Sequence, residues 1–481
     1  MMQYDHTKSM ITSRHLLLLF LILGGLAGTC IFIFAGLSLA MVFYMLPVFL
    51  LVIIVLLSSP ISCFFLLYIV SYLVMGFGRY ITFPLPVGVI LDLLILFNFF
   101  SLALHFIRGN PLGKVYFNSF LLISIFWMLY CMLEIVNPMS TFANWITTVR
   151  SIGMHIVLFQ LLVFISLDNI PKLRLFFKVW GILVLLGALK AIGQKYIGLD
   201  RFESAWLYTF GAHTHVIYSG IRYFSFFSDA ANFGCHMGLA MVVFTILAIY
   251  EKQAKRRFLY IVVVAFAAYG LMISGTRAAI AVPFAGFAFF IILVKEWKWV
   301  IFGLSLLIMA FAFFNLTTIG NSSSDIRRMR TAFSFSKDAS FNVRLENQKK
   351  MRTFMGDHPF GIGLGGSKHA NEGDAIHGIA TDSSFVFIWV ETGFVGLIGY
   401  IILCLTILGY GIYYVLFRLK DRGIKSIAMA ATSGLAGIMV AGYANEVLHQ
   451  MPTGQTVYIL MGVIMLSPYL DKKLSDDIRT V

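Results

Sequence analysis

The chain has 481 residues, 59% of them hydrophobic and only 12% charged, with a mean hydropathy of +0.88. Soluble domains carry about 25% charged residues, so this composition excludes a water-soluble enzyme and points to a polytopic membrane protein. The net charge of +14 does not signal nucleic acid, because the basic residues cluster in short loops between apolar blocks, where they set orientation.

Windows of about twenty residues, enough to cross a bilayer as a helix, divide the chain into about fourteen spans. They lie near 15–34, 37–58, 61–78, 86–106, 117–136, 150–168, 176–197, 224–250, 258–274, 277–295, 298–315, 384–416, 424–443 and 454–470. Merging or re-entry among the early, closely spaced blocks would lower the count to twelve or thirteen. The apolar run after MMQYDHTKSMITSRH is too long for a signal-peptide core and reads as a retained first span. The expected fold class is all-α: a polytopic transmembrane helical bundle of about 12–14 spans with one large periplasmic loop. Residues 1–315 form an N-terminal bundle of about eleven spans, 316–383 the loop, and 384–481 a C-terminal bundle of about three spans.

Charge placement sets the sidedness. Lys8 and Arg14, Arg108 and Lys114, Lys172 to Lys178, Lys252 to Arg257, Lys295 and Lys298, Arg418 to Lys425 and Lys472 to Arg479 all fall on one side of a fourteen-span chain. The excess of basic residues makes that side cytoplasmic, with both termini inside and the long loop outside. The interval 198–221 lies outside with it. The cysteines (Cys30, Cys63, Cys131, Cys235, Cys404) fall inside apolar segments, so neither a disulfide framework nor a zinc site is expected.

Two arginines are not explained by orientation. Arg222 opens IRYFSFFSDAANFGCHMGLA at the outer entrance of the eighth span, and Arg277 sits in SGTRAAIA at an outer turn. An arginine there needs an anion, a carboxylate partner or the headgroup layer, and its planar fork binds phosphate oxygens in pairs. Together with Arg344 of the loop, the pair suits a lipid diphosphate. The alternative is that both snorkel to headgroups or pair with Asp229 or Glu391.

The loop offers further candidates. GIGLGG (Gly361 to Gly366) contains a G-x-G-x-x-G spacing without a strand–turn–helix context, so it reads as a turn whose N–H groups are able to help hold a phosphate. His358, His369 and His377, with Glu372 and Asp374, lack metal-site spacing and read as solvated loop residues. Asp382 stands where the loop returns to the membrane; it is either a carboxylate at headgroup level or a helix N-cap, roles that are compatible. Asp92, Glu134, Lys190, Asn445, Glu446 and His449 either line the same cavity or pair across helices.

Four stretches resemble the O-antigen ligase and polymerase family: RYFSFFSDAANFGCHMGLA, SGTRAAIAVPFAGF, NVRLENQKKMRTFMGDHPFGIGLGG and TDSSFVFIWVETGFVGLIGY, spanning roughly Ile221 to Tyr400. The resemblance implies a metal-independent glycosyltransferase without a cofactor, acting on a glycan carried by undecaprenyl diphosphate at the periplasmic face of the bacterial inner membrane. Its implied partners are the lipid-linked donor and acceptor and the bilayer, with a chain-length regulator and a flippase as candidates and no nucleic acid. By position, Arg222, Arg277 and Arg344 match the family's diphosphate-binding arginines, although Arg327, Arg328, Arg330 and Arg352 lie close to Arg344. Family ligases carry a histidine about eleven residues before the glycine of the exit-helix T-G pair; counting back from Gly393 gives Asp382. That departure favours a polymerase of O-antigen, capsule or exopolysaccharide, with Asp382, Arg344 and His377 as catalytic candidates. Ligation to lipid A core is the alternative, His377 standing in for the missing histidine. A lipid-linked oligosaccharide flippase fits less well, because no internal repeat is present and one loop is large.

Overall fold

The computed structural model describes residues 53–81, 86–217, 220–331, 339–368 and 378–479. Helices dominate them: α1 (Pro60–Phe77), α2 (Val87–Ile107), α3 (Ser119–Leu133), α4 (Phe142–Val149), α5 (His155–Ser166), α6 (Ile170–Tyr196), α7 (Arg201–Trp206), α8 (Ala212–His215), α9 (Ala230–Tyr250), α10 (Ala254–Ile273), α11 (Ala281–Leu293), α12 (Trp297–Leu316), α13 (Ser324–Arg330), α14 (Ala339–Met355), α15 (Ser384–Tyr413), α16 (Arg422–Gly442) and α17 (Thr453–Arg479). A two-stranded antiparallel hairpin, β1 (Val216–Ile217) with β2 (Gly220–Ile221), lies between α8 and α9. The fold is an all-α polytopic helical bundle.

Among the described residues eleven helices are long and apolar enough to cross a membrane, and Arg277–Leu293 is a shorter apolar one. Each predicted span from 61–78 onward coincides with one of these twelve. The predicted span 15–34 and most of 37–58 lie outside the described residues. Two boundaries differ. The eighth span begins at Ala230 rather than 224, because Asp229 caps α9 and the aromatic residues ahead of it fold into a separate turn. The sixth begins at Phe142, since a π-helical segment (Arg150–Met154) joins α4 to α5.

The described residues fall into two units, one made of 53–63 and 97–111 and the other of 64–81, 86–96 and the described residues from 112 onward. In the first, Ser101 donates to the carbonyl of Leu56 at 3.0 Å. In the second, α9, α16 and α17 are the most buried helices, while α12 buries only Gly303 along its apolar length, as a lipid-facing helix should. Their sequences explain this. The run AMAATSGLAGIMVAG of α16 has few large side chains, so its backbone packs closely on α11 and α9; Gly437 lies against the backbone of Val282. Lipid supplies little hydrophobic drive between helices, so such small-residue contact holds the bundle.

Charged groups inside the spans pair locally. Asp92 binds Arg150 at 2.7 Å and His155 at 3.0 Å. Glu134 accepts from the Asn137 amide at 3.1 Å, and Lys190 meets Glu203 at 2.8 Å. Pairing is the expected outcome for ionised groups at membrane depth.

Candidate functional site

The site is built around the short turn between α10 and α11. Gly275, with φ +59, lets the chain reverse directly after α10. Ser274 closes the helix by donating to Leu271, and the next turn, Arg277–Ile280, is a 3-10 helix leading into α11. Thr276 is buried, and its hydroxyl donates to the carbonyl of Ala230 at 2.9 Å. The sequence SGTR is thus a reversal that joins the first turn of α9 and presents Arg277 at the same end of the unit.

Arg222 reaches this turn from the hairpin. Its N–H donates to His215 at 2.9 Å, extending the β1–β2 pairing. Its guanidinium donates to the carbonyl of Thr214 at 2.8 Å and to Thr276 Oγ1 at 2.6 Å. All these acceptors are neutral. Asp229 does not pair with Arg222 directly: one oxygen accepts from the N–H groups of Ala231 and Asn232 at 2.8 and 2.9 Å, and Ser228 donates to the other at 2.9 Å. Burial pulls Arg222 below the ordinary arginine range; Asp229 opposes this, while the like charges of Arg344 and Arg277 add to it. A guanidinium nonetheless stays ionised, so the turn carries concentrated positive charge.

His215 supports the arrangement as a neutral ring. Nδ1 donates to Gly211 at 3.0 Å and Nε2 accepts the Ala230 N–H at 3.2 Å. Burial holds it below the usual histidine range. Beneath the hairpin, Arg79 lies over Trp206 and Phe224, 4.2 and 4.3 Å from the ring centroids, and donates to the carbonyls of Ser225 and Phe227.

The basic residues between α12 and the glycine run separate clearly. Arg327 and Arg352 are exposed. Arg330 donates to Ile319 at 2.7 Å and lies over Phe313, which commits it to the end of α12. Arg328 turns the other way, and its Nε donates to the carbonyl of Gly275. Arg344 lies two helical turns before Met351, on the face of α14 that Met351 and Met355 bury against Ile362, Val386 and Val390. The Nε atoms of Arg344 and Arg222 are both buried without a hydrogen-bond acceptor among the described residues.

The glycine run has a structural partner. Glu391, buried in α15, accepts the N–H of Gly365 at 2.5 Å and both the N–H and hydroxyl of Ser367 at 3.1 and 2.5 Å. Ser140 donates to Leu364 at 2.6 Å. Gly393 breaks the helix at φ +69, and the freed N–H of Phe394 donates to Pro359 at 2.9 Å. A Cβ at Gly393 would overlap the Pro359 carbonyl. The Glu-Thr-Gly pattern is therefore a docking notch for the glycine run. The N–H groups of Gly365 and Ser367 serve a carboxylate of the protein, not an external phosphate.

Asp382 is exposed, with φ +40, and the cap of α15 is its neighbour Ser383, which accepts the Val386 N–H at 3.4 Å. The N-cap role considered for Asp382 belongs to Ser383, whose extended backbone (φ −146, ψ 137) directly precedes the first helical residue. Next to it, Thr381 donates to Glu446 at 3.2 Å, and Lys368 binds the same carboxylate oxygen at 2.6 Å. Burial pushes Glu446 above the usual carboxylate range; Lys368 opposes this and Asp229 adds to it. Asn445 donates to Cys235 at 3.7 Å, and His449 shares a hydrogen bond with Tyr458 at 3.1 Å. His358 stacks on Phe354 and its Nδ1 donates to that residue's carbonyl.

The structure therefore brings Arg277 and Arg344 each within electrostatic reach of Arg222. His369, Glu372, Asp374 and His377 lie outside the described residues. Sequence reasoning did not single out Arg79, although it too is an arginine in a predicted outer turn and the logic applied to Arg222 would have reached it. Arg328 carried no signal separating it from its neighbours in RRMR. Among the described residues no group of three or more histidine, cysteine, aspartate or glutamate side chains is placed to hold a metal ion.

No curated protein matches the sequence. A family model does, over a stretch that contains Arg277, Arg328, Arg344, the glycine run, Asp382 and the Glu391 notch, but not Arg222 or Glu446. Three of the four stretches that carried the resemblance lie in it or overlap it. Residues 262–401 match the model described as O-Antigen ligase, and the match supports an O-antigen ligase/polymerase-like family, with its glycosyl-transferring type of activity, for this multi-pass membrane protein.

Proposed function

We propose that the protein is a polysaccharide polymerase, joining oligosaccharide repeat units carried on undecaprenyl diphosphate at the periplasmic face of the inner membrane. Both termini are then cytoplasmic, and the segment 316–383 is a periplasmic loop between bundles 1–315 and 384–481. The observation that carries this reading is that the buried Arg222, whose guanidinium donates to the neutral oxygens of Thr214 and Thr276, lies within electrostatic reach of both Arg277 and Arg344.

The acceptor sugar hydroxyl attacks the anomeric carbon of the donor. The new glycosidic C–O bond forms as the bond to the diphosphate breaks, and the lipid diphosphate leaves with the electron pair. Negative charge grows on the leaving phosphate, which is where fixed guanidinium groups lower the barrier most. Asp382, exposed at the start of α15, accepts the hydroxyl proton, and His377 is the second candidate for that role. The reaction requires no metal in this reading, since arginines supply the charge neutralisation. Aspartate at the position where ligases of the resembled family carry histidine favours polymerisation over transfer to lipid A core.

A strain lacking the protein should assemble single repeat units on its surface but no long chains. Polymer accumulating on the carrier lipid would instead identify a ligase, and repeat units trapped on the cytoplasmic face a flippase. In vitro, product should form from a lipid-diphosphate glycan in the presence of chelator; a requirement for a divalent ion would remove the metal-free mechanism. Arg277→Ala should lower turnover by at least about 100-fold with the folded protein retained. Unchanged turnover would eliminate the diphosphate clamp.

A further inference from the structure

Arg222 follows a hairpin with two residues in each strand, too small to hold a shape without support. Its direction therefore depends on the chain beyond it, where residues 224–227 make a tight turn before Asp229 caps α9. Phe227 closes that turn by donating to the carbonyl of Phe224 at 3.0 Å. Inside it Ser225 holds φ +53, a left-handed conformation that a non-glycine residue keeps only when its surroundings impose it.

The surroundings that impose it come from α6 and from the end of α1. Gln194 of α6 accepts the Ser225 N–H at 2.9 Å, and the Ser225 hydroxyl donates to the carbonyl of Gly187 at 2.6 Å. From just beyond α1, Arg79 donates through one nitrogen to the carbonyl of Ser225 at 2.7 Å and through another to that of Phe227. The same guanidinium is wedged between Trp206 and Phe224, whose ring centroids are 4.9 Å apart. Phe224 meets His215 edge-on at 5.2 Å, and the carbonyl of His215 receives the N–H of Arg222. Gly76 brings the end of α1 against the turn as well: a Cβ there would stand 2.7 Å from a ring carbon of Phe226 and 2.9 Å from its Cα. A lysine at position 79 would supply charge, but neither two donors in a fixed fork nor a flat face for the rings.

We propose that Arg79 is a positioning residue: it aims Arg222 by clamping the 224–227 turn and makes no contact of its own with substrate. This rests on the lipid-diphosphate reading of Arg222 above.

The full chain in nanodiscs is titrated with undecaprenyl diphosphate and followed by hydrogen exchange. The proteins compared are wild type, Arg222→Gln, and Arg79→Lys and Gly76→Ala, each alone and combined with Arg222→Gln. Gly76→Ala displaces the turn without changing any charge. Arg79→Lys and Gly76→Ala should each weaken undecaprenyl diphosphate about tenfold. Both should speed exchange in the segment 222–229 at least about tenfold, while α16 exchanges as in wild type. In the Arg222→Gln background each should cost less than about twofold more, because its effect passes through Arg222. Additive losses would make Arg79 an independent group and overturn the positioning role, as would wild-type exchange at 222–229 in Arg79→Lys. Should Arg79→Lys open α16 too, Gly76→Ala carries the comparison with Arg222→Gln in its place. Wild-type binding in Arg222→Gln would overturn the diphosphate reading instead, whereas exchange at 222–229 reads the clamp without reference to any ligand.

Discussion

Arg222 donates to the hydroxyl of Thr276 at 2.6 Å, and that hydroxyl donates onward to the carbonyl of Ala230. One threonine thus ties the hairpin arginine, the turn that carries Arg277 and the first residue of α9. Position is what it supplies, since a guanidinium aims its charge only as well as its own acceptors hold it.

Thr276→Val keeps the shape and removes the hydroxyl. The variant should fold, melt slightly lower, and lose about tenfold or more in turnover, in line with a broken charged hydrogen bond. Comparison of its transfer rate with that of wild type at matched expression tests this. A valine enzyme as active as wild type would mean that Arg222 is aimed by something else.

Asp382 combines a non-glycine residue at φ +40 with a proposed catalytic role. Glycine adopts that backbone freely, so Asp382→Gly should raise stability by up to about 1 kcal/mol while removing the base. Melting temperature and turnover should therefore move in opposite directions. A glycine variant with full activity would exclude the carboxylate from the chemistry.

Gly393→Ala should be the most damaging small change in α15. It demands φ +69 from alanine and drives a methyl group into the carbonyl of Pro359. The expected cost exceeds about 2 kcal/mol, with the glycine run released from Glu391. Limited proteolysis between Pro359 and Ser367 should accelerate sharply; wild-type resistance would show that the notch does not hold the run.

Acid should weaken the folded state through His449. Burial pulls its pKa down to about 3, below the usual 6.5. Below pH 6.5 the unfolded chain takes up a proton that the folded ring refuses, so stability present above that pH is lost as pH falls toward 3. Between pH 6.5 and 5 the loss from this group is about 2 kcal/mol. His449→Phe gives up the bond to Tyr458 and should start less stable, yet its melting temperature should depend less on pH over this interval. Identical slopes for the two proteins would rule His449 out as the source.

The spans from 61–78 onward were legible in the sequence because bilayer crossing depends on local composition: twenty apolar residues need a helix wherever they occur. Arg222 and Arg277 stood out for a related reason, being cations that sidedness did not require. What composition does not carry is the destination of a polar side chain. GIGLGG reads as a turn with amides free to help hold a phosphate, but the amides of Gly365 and Ser367 are taken by Glu391, from a helix beyond the loop. Asp382 and Ser383 are both good capping residues, and only the backbone conformation assigned the cap to serine.

By itself, then, the sequence determined an all-α membrane protein and two unexplained arginines, because hydropathy and charge balance act over neighbouring residues. Only the tertiary structure decided which arginines share a turn. Arg327, Arg328 and Arg330 are one or two residues apart in the chain, but helical rotation sends one to solvent, one to Gly275 and one to the end of α12. Such sorting depends on what each face of α13 meets, and those partners lie far away in the chain.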